Sequence, residues 1–174
     1  MGIVALGVGL GGGGNFGALL HALNHSFAKA LLFLVAGNIL AVYRSKSAAD
    51  VRGVLRVLPV SGVLWLVGLF AITGSPPFGP FLSELTVLKA ALDQGRTAVA
   101  AGYLALLAVI FVGIMTAGVR MAQGVPDQCE GAGAHESMLT VLPPAGLALL
   151  VLVLGLYVPP VVRAALEEAA RALG

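Results

Sequence analysis

His21, His25 and Lys29 recur at four-residue spacing in LLHALNHSFAKALLFLVAG, residues 19–37, a run that is otherwise almost wholly apolar. A helix turns about 100° per residue, so the three side chains fall within an arc of about 80° along about 12 Å of axis. Titratable groups about 6 Å apart can be bridged by single waters, and the chemistry such a stripe suits is proton transfer. Each residue alone has a plainer reading: a histidine as a buried hydrogen-bonding group, the lysine as half of a structural ion pair. Their regular spacing favours the relay. Lys29 lies midway between Asn15 and Tyr43, the polar ends of its run, too deep to reach water by snorkelling. A cation at that depth costs at least ~2.5–3.5 kcal/mol, so the stripe is expected to be buried with a partner facing Lys29. A metal site is not expected: H-x-x-x-H supplies two ligands, no third lies nearby, and the ammonium repels a cation.

Glu84, in PFGPFLSELTVL, is the second candidate. It is expected in the first turn of a helix that follows a proline-rich break. There the helix dipole favours the carboxylate while desolvation favours the acid. A group so balanced changes protonation with small changes around it; the plainer reading is a helix-terminus carboxylate at headgroup level. Lys89 is a possible further member. It lies about 140° around the helix from Glu84 and is better placed for Asp93 at i+4. No nucleophile–base pair or cofactor motif accompanies these groups, so no catalytic residue or resident cofactor is expected in the chain.

The elements that must hold these groups are membrane helices. The chain is 59% hydrophobic and 10% charged, against roughly one-quarter charged in soluble domains, and its mean hydropathy is +0.99. Runs at 15–43, 57–74, 97–119 and 138–158 approach or exceed the roughly 20 residues of a spanning helix. A shorter run covers 80–92, after TGSPPFGPF, whose prolines and glycines interrupt regular helix. Residues 160–173 space Arg163, Glu167 and Arg171 against Val162, Leu166 and Leu173, the pattern of an interfacial helix. The expected fold is an all-α polytopic transmembrane bundle forming a single domain over 1–174, with a broken or short helix near 76–93. Met1–Leu10 is too short to span and lacks a basic leader, which reads as a piece of a longer chain. The G-x-G-x-x-G match at Gly7, Gly9 and Gly12 has neither βαβ context nor a following acidic residue; its expected role is a helix end and turn that permit close packing. One cysteine, Cys129, excludes an internal disulfide and a cysteine-rich metal or iron–sulfur site. A net charge of +2 with dispersed basic residues leaves no nucleic-acid footprint.

LLHALNHSFAKALLFLVAGNI, followed by RGVLRVLP and ITGSPPFGPFLSE, resembles the antiporter-like membrane subunits of respiratory complex I, Mrp-type sodium/proton antiporters and energy-converting hydrogenases. SPPFGPFLSE is most similar to the formate-hydrogenlyase and hydrogenase-4 type. The resemblance implies a proton-translocating subunit of two inverted five-helix repeats, of which this chain holds most of the second repeat and the following helix. By motif, His21, His25 and Lys29 match its central relay and Glu84 its terminal ionisable group. It further implies a prokaryotic inner or cell membrane, with other membrane subunits and peripheral redox subunits as partners. Protons are the expected cargo. A sodium/proton antiporter subunit and a non-transporting scaffold for redox subunits are the alternatives. The absence of a carboxylate and hydroxyl cluster around Glu84 speaks against a sodium cage, and ionisable groups at 29 and 84 speak against the scaffold.

Overall fold

The computed structural model of the protein describes residues 1–125 and 136–174; Cys129 lies outside the described residues. Every regular element among them is α-helical: α1 (Gly2–Leu10), α2 (Gly13–Tyr43), α3 (Val54–Val57), α4 (Pro59–Ile72), α5 (Gly79–Asp93), α6 (Thr97–Ala122), α7 (Met138–Leu156) and α8 (Pro160–Ala172). Three of them, α2, α6 and α7, are long and apolar enough to cross a membrane. The run 57–74 forms a shorter helix than its hydropathy suggests, because α4 has only 14 residues. Leu58 leaves helical geometry before Pro59 opens α4, and Gly74 in a left-handed conformation closes the turn that ends it.

The central element is α2, against which α1, α4, α5, α7 and α8 all pack. Its 31 residues extend about 46 Å at helical rise, enough to cross a hydrocarbon core of ~30 Å with tilt. Its buried face follows Gly14, Gly17, His21, Asn24, Ala28, Leu31 and Val35, alternating steps of three and four residues as helix packing requires. One end of this face joins Val54, Leu58 and Leu64 in an aliphatic core. Near the middle, Ala28 meets Ala71 and Val151. On the α5 side, Leu10, Val87, Ala91, Ala100 and Tyr103 form a further cluster.

Small residues set the closest approaches. A Cβ on Gly7 would meet the Ala18 Cβ at 2.8 Å, and one on Gly14 would strike the Gly7 carbonyl. The glycine-rich start is therefore a helix–turn–helix contact, with Gly11 and Gly12 supplying the positive φ of the turn. Without a hydrophobic effect between helices in lipid, this tight contact is what holds α1 to α2.

Polar side chains complete the assembly. Pro144 inside α7 has no N–H for the carbonyl four residues earlier, and the Asn38 side chain of α2 donates to that Thr140 carbonyl at 3.0 Å instead. At the start of α4, the Val60 and Ser61 N–H groups both donate to the Glu136 carboxylate at 2.8 Å, which closes two of the helix's free donors. The Trp65 indole donates to the Gly118 carbonyl at 3.1 Å, pinning α4 to α6. The amphipathic α8 carries the Arg163–Glu167 pair and has no buried residue.

The interruption between α4 and α5 is the irregular part that matters. Non-helical backbone at membrane depth is tolerated where protein covers it and its polar groups are satisfied. Here Ser75 N–H donates to the Phe70 carbonyl and Phe78 N–H to that of Ser75. A Cβ on Gly155 of α7 would overlap the Pro77 carbonyl, and one on Gly79 would meet the Asn24 side-chain oxygen at 2.5 Å. The break is thus clamped between α2 and α7 by two glycines.

Candidate functional site

The clamped break sets the start of α5, and α5 sets Ser83 and Glu84. Both are buried. Glu84 is the sixth residue of α5, in its second turn and not in the first, since the helix begins at Gly79. The favourable field of a helix N-terminus fades beyond the first turn, so burial in the wall of the bundle is the larger influence on this carboxyl group. Its oxygens lie over Gly74, at the end of α4, where any side chain would overlap them.

On α2, the stripe does not stay on one face. His21 is buried, His25 half-buried and Lys29 exposed on the surface of the chain. The spacing explains this. The buried face advances by alternating three and four residues, whereas strict four-residue steps rotate by about 40° each. The expectation of a wholly buried stripe is therefore corrected: it begins in the core at His21 and emerges at Lys29.

His21, His25, Lys29 and Glu84 nevertheless line one partly open cavity of 740 Å³, whose other walls come from α1, the end of α4 and one face of α6 around Tyr103. The His21 and His25 rings stack with centroids 5.3 Å apart and an interplanar angle of 29°. Nδ1 of His21 and Oγ of Ser83 are hydrogen-bonded at 3.0 Å, and Ser83 donates its hydroxyl proton to the Pro80 carbonyl at 2.7 Å. The Asn24 amide donates to the Gly79 carbonyl at 2.9 Å. No ion pair joins Lys29 to Glu84: among the described residues the pairs are Lys89–Asp93 and Arg163–Glu167. Lys89 is exposed in its pair with Asp93 and does not join the cavity.

Three residues of the site went unmarked in the sequence. Ser83 adjoins Glu84, and Asn24 lies between the two histidines; each is a polar residue inside an apolar helix. Tyr103 was hidden in the long run of α6. Its buried hydroxyl has no hydrogen-bond partner among the described residues, and its ring lines the same cavity as Glu84. No group of three metal-ligating side chains converges among the described residues.

A polytopic helical membrane protein with titratable groups around a cavity between its helices is what the fold and site define. Residues 1–114 match the family described as NADH:quinone oxidoreductase/Mrp antiporter, TM, and the chain belongs to that family. It is an integral membrane protein, similar to antiporter-like subunits of three kinds of complex. It is 35% identical over 161 residues, 92% of the chain and 33% of the relative, to the hydrogenase-4 component F homolog of Methylacidiphilum infernorum. It is 34% identical over 154 residues, 85% of the chain and 27% of the relative, to NADH-quinone oxidoreductase subunit M of Mycobacterium tuberculosis. It is 30% identical over 155 residues, 80% of the chain and 19% of the relative, to Na(+)/H(+) antiporter subunit A1 of Staphylococcus aureus. The chain thus spans a third or less of the length of these relatives. Its fold matches a chain of the Mrp complex from Dietzia sp. with a TM-score of 0.78 at 22% identity, over 98% of this chain and 39% of that one.

Proposed function

We propose that this chain carries a proton pathway in an antiporter-like subunit of a membrane redox complex of the hydrogenase or complex I kind. One observation carries the reading: Glu84 on α5 and His21, His25 and Lys29 on α2, far apart in sequence, line a single cavity. Ionisable side chains inside membrane helices are costly, and their default explanation is a path for ions or protons. In this reading water in the cavity links Glu84 to the histidines, and Lys29, at its outer margin, exchanges charge with whatever group faces it. Electron transfer belongs to partner subunits, as the names of the hydrogenase-4 and NADH-quinone oxidoreductase relatives suggest. The bacterial sources of the relatives support a prokaryotic inner or cell membrane.

The test is Glu84→Gln in the complete complex. It keeps the shape and most hydrogen bonding but removes the charge change. Proton movement is expected to fall while assembly and electron transfer persist; unchanged coupling sinks the reading.

A sodium/proton antiporter subunit is the second reading, favoured by the Na(+)/H(+) antiporter relative and the Mrp fold match. A sodium site needs a cage of several oxygens, by analogy with other hard cations. The cavity wall offers one carboxylate, on Glu84, with the hydroxyls of Thr73 and Tyr103. Comparing sodium and proton flux in the same proteoliposomes separates the two: sodium-dependent proton flux supports the antiporter, and sodium-independent flux the redox-coupled pathway.

A further inference from the structure

We propose that Ser83 is a positioning residue for His21, holding it in the Nδ1–H tautomer so that Nε2 is the nitrogen through which this histidine takes up and returns a proton. The inference rests on the proton-pathway reading above. A serine hydroxyl has one proton and two lone pairs. The Ser83 proton is committed to the Pro80 carbonyl at 2.7 Å, so in the 3.0 Å contact with His21 the oxygen accepts and Nδ1 donates. A neutral imidazole with Nδ1–H carries its lone pair on Nε2. Since His21 lines the cavity and its Nδ1 side is closed by Ser83, Nε2 is the nitrogen left for cavity water.

The same geometry closes the other exit. A proton arriving at Nε2 gives an imidazolium with both nitrogens protonated. To leave through Nδ1 it would pass to the Ser83 oxygen while the hydroxyl proton moved to the Pro80 carbonyl, and an amide oxygen does not hold a proton in neutral conditions. The proton must leave from Nε2, which restores the starting tautomer without any ring flip. His21 is thus a station that loads and unloads on one side. It is not a link that takes a proton at one nitrogen and passes it on at the other. Both partners are fixed for this role: Ser83 is fully buried and His21 is 2% exposed, and Pro80, itself fully buried, is the second residue of α5, just after the clamped break.

The experiment uses the full-length protein in its complex, in lipid nanodiscs, with ring-labelled histidine. The His21 signal is the one lost in His21→Gln, and its ring nitrogen shifts report the tautomer. Nδ1–H is expected in the native protein and a shift toward Nε2–H in Ser83→Ala, with retention in Ser83→Thr, which keeps the hydroxyl. In parallel, Ser83→Ala is expected to slow proton movement by about 10-fold, taking as a guide the lower end of what losing an orienting partner costs a metal-ligating histidine. A native Nε2–H form, or the same tautomer in Ser83→Ala, overturns the assignment whether or not protons move. An altered tautomer with undiminished proton movement overturns the role. The outcome for Glu84→Gln judges the underlying reading separately.

Discussion

The Glu84 carboxylate lies over Gly74, at the point where α4 gives way to the break, and a Cβ at position 74 would overlap its oxygens. Gly74 also has φ of 68°, a region that residues with a side chain enter at a cost. Two separate reasons therefore demand glycine there. Gly74→Ala is expected to destabilise the protein by about 1–3 kcal/mol through backbone strain and to displace the Glu84 side chain, slowing proton movement. Gly113→Ala in α6, where nothing lies within 4 Å, is the control and should be neutral or stabilising by up to ~1 kcal/mol. Thermal unfolding in detergent and proton uptake, measured on both variants, check this. Equal stability of the two would mean that the turn accommodates a side chain.

Gly155 makes a comparable demand from the other side of the break. A Cβ there would run into the Pro77 carbonyl and the Phe78–Gly79 backbone, none of which can turn away as a flexible side chain can. Gly155→Ala is expected to cost about 3 kcal/mol, the upper end of the range for overpacking. It should also shift the start of α5, and with it Ser83 and Glu84. Loss of assembled complex and a lower unfolding temperature are the readouts. Normal stability would show that α7 does not seat the break as tightly as described.

The helical bundle was legible in the sequence because hydropathy runs, proline breaks and the absence of strand patterning all point one way. The site was legible in part. His21, His25, Lys29 and Glu84 stand out as ionisable residues in apolar surroundings, and the structure brings them to one cavity. What spacing alone concealed was the rotation of the stripe: four-residue steps look like a single face until set beside the steps of three and four by which α2 packs. Glu84 falls in the second turn because α5 starts at Gly79, and even a start at residue 80 makes it the fifth residue, past a first turn of about 3.6 residues. Ser83, Asn24 and Tyr103 carry ordinary polar groups, and only tertiary contacts distinguish them from surface residues.

Tyr103 follows Glu84 as a cavity residue whose function can be tested by removing one atom. Its buried hydroxyl lacks a protein partner among the described residues, and a water placed beside it would satisfy it. Tyr103→Phe leaves the ring in place, and stability should change by less than about 1 kcal/mol, the net worth of a typical hydrogen bond. If the hydroxyl orders water beside Glu84, proton movement should slow without loss of assembly. Unchanged proton movement would make Tyr103 a packing residue only.

Lys29 gives the sharpest separation between a moving charge and a fixed one. Because it is exposed on the chain, truncation creates no core cavity, and Lys29→Ala should leave the unfolding temperature of the complex nearly unchanged. Within the membrane, however, the ammonium must be faced by a partner group or by water, since an uncompensated cation there is costly. In the pathway proposed above, Lys29 gives and takes a proton with the group that faces it. Arginine keeps the charge but does not deprotonate in proteins. Lys29→Ala and Lys29→Arg are therefore both expected to impair proton movement, with membrane assembly and electron transfer largely retained. Assembly, electron transfer and proton uptake measured in parallel on the two variants decide it. Normal pumping by Lys29→Arg would make Lys29 a fixed structural cation and would confine the titrating groups to the inner part of the cavity, at His21, His25 and Glu84.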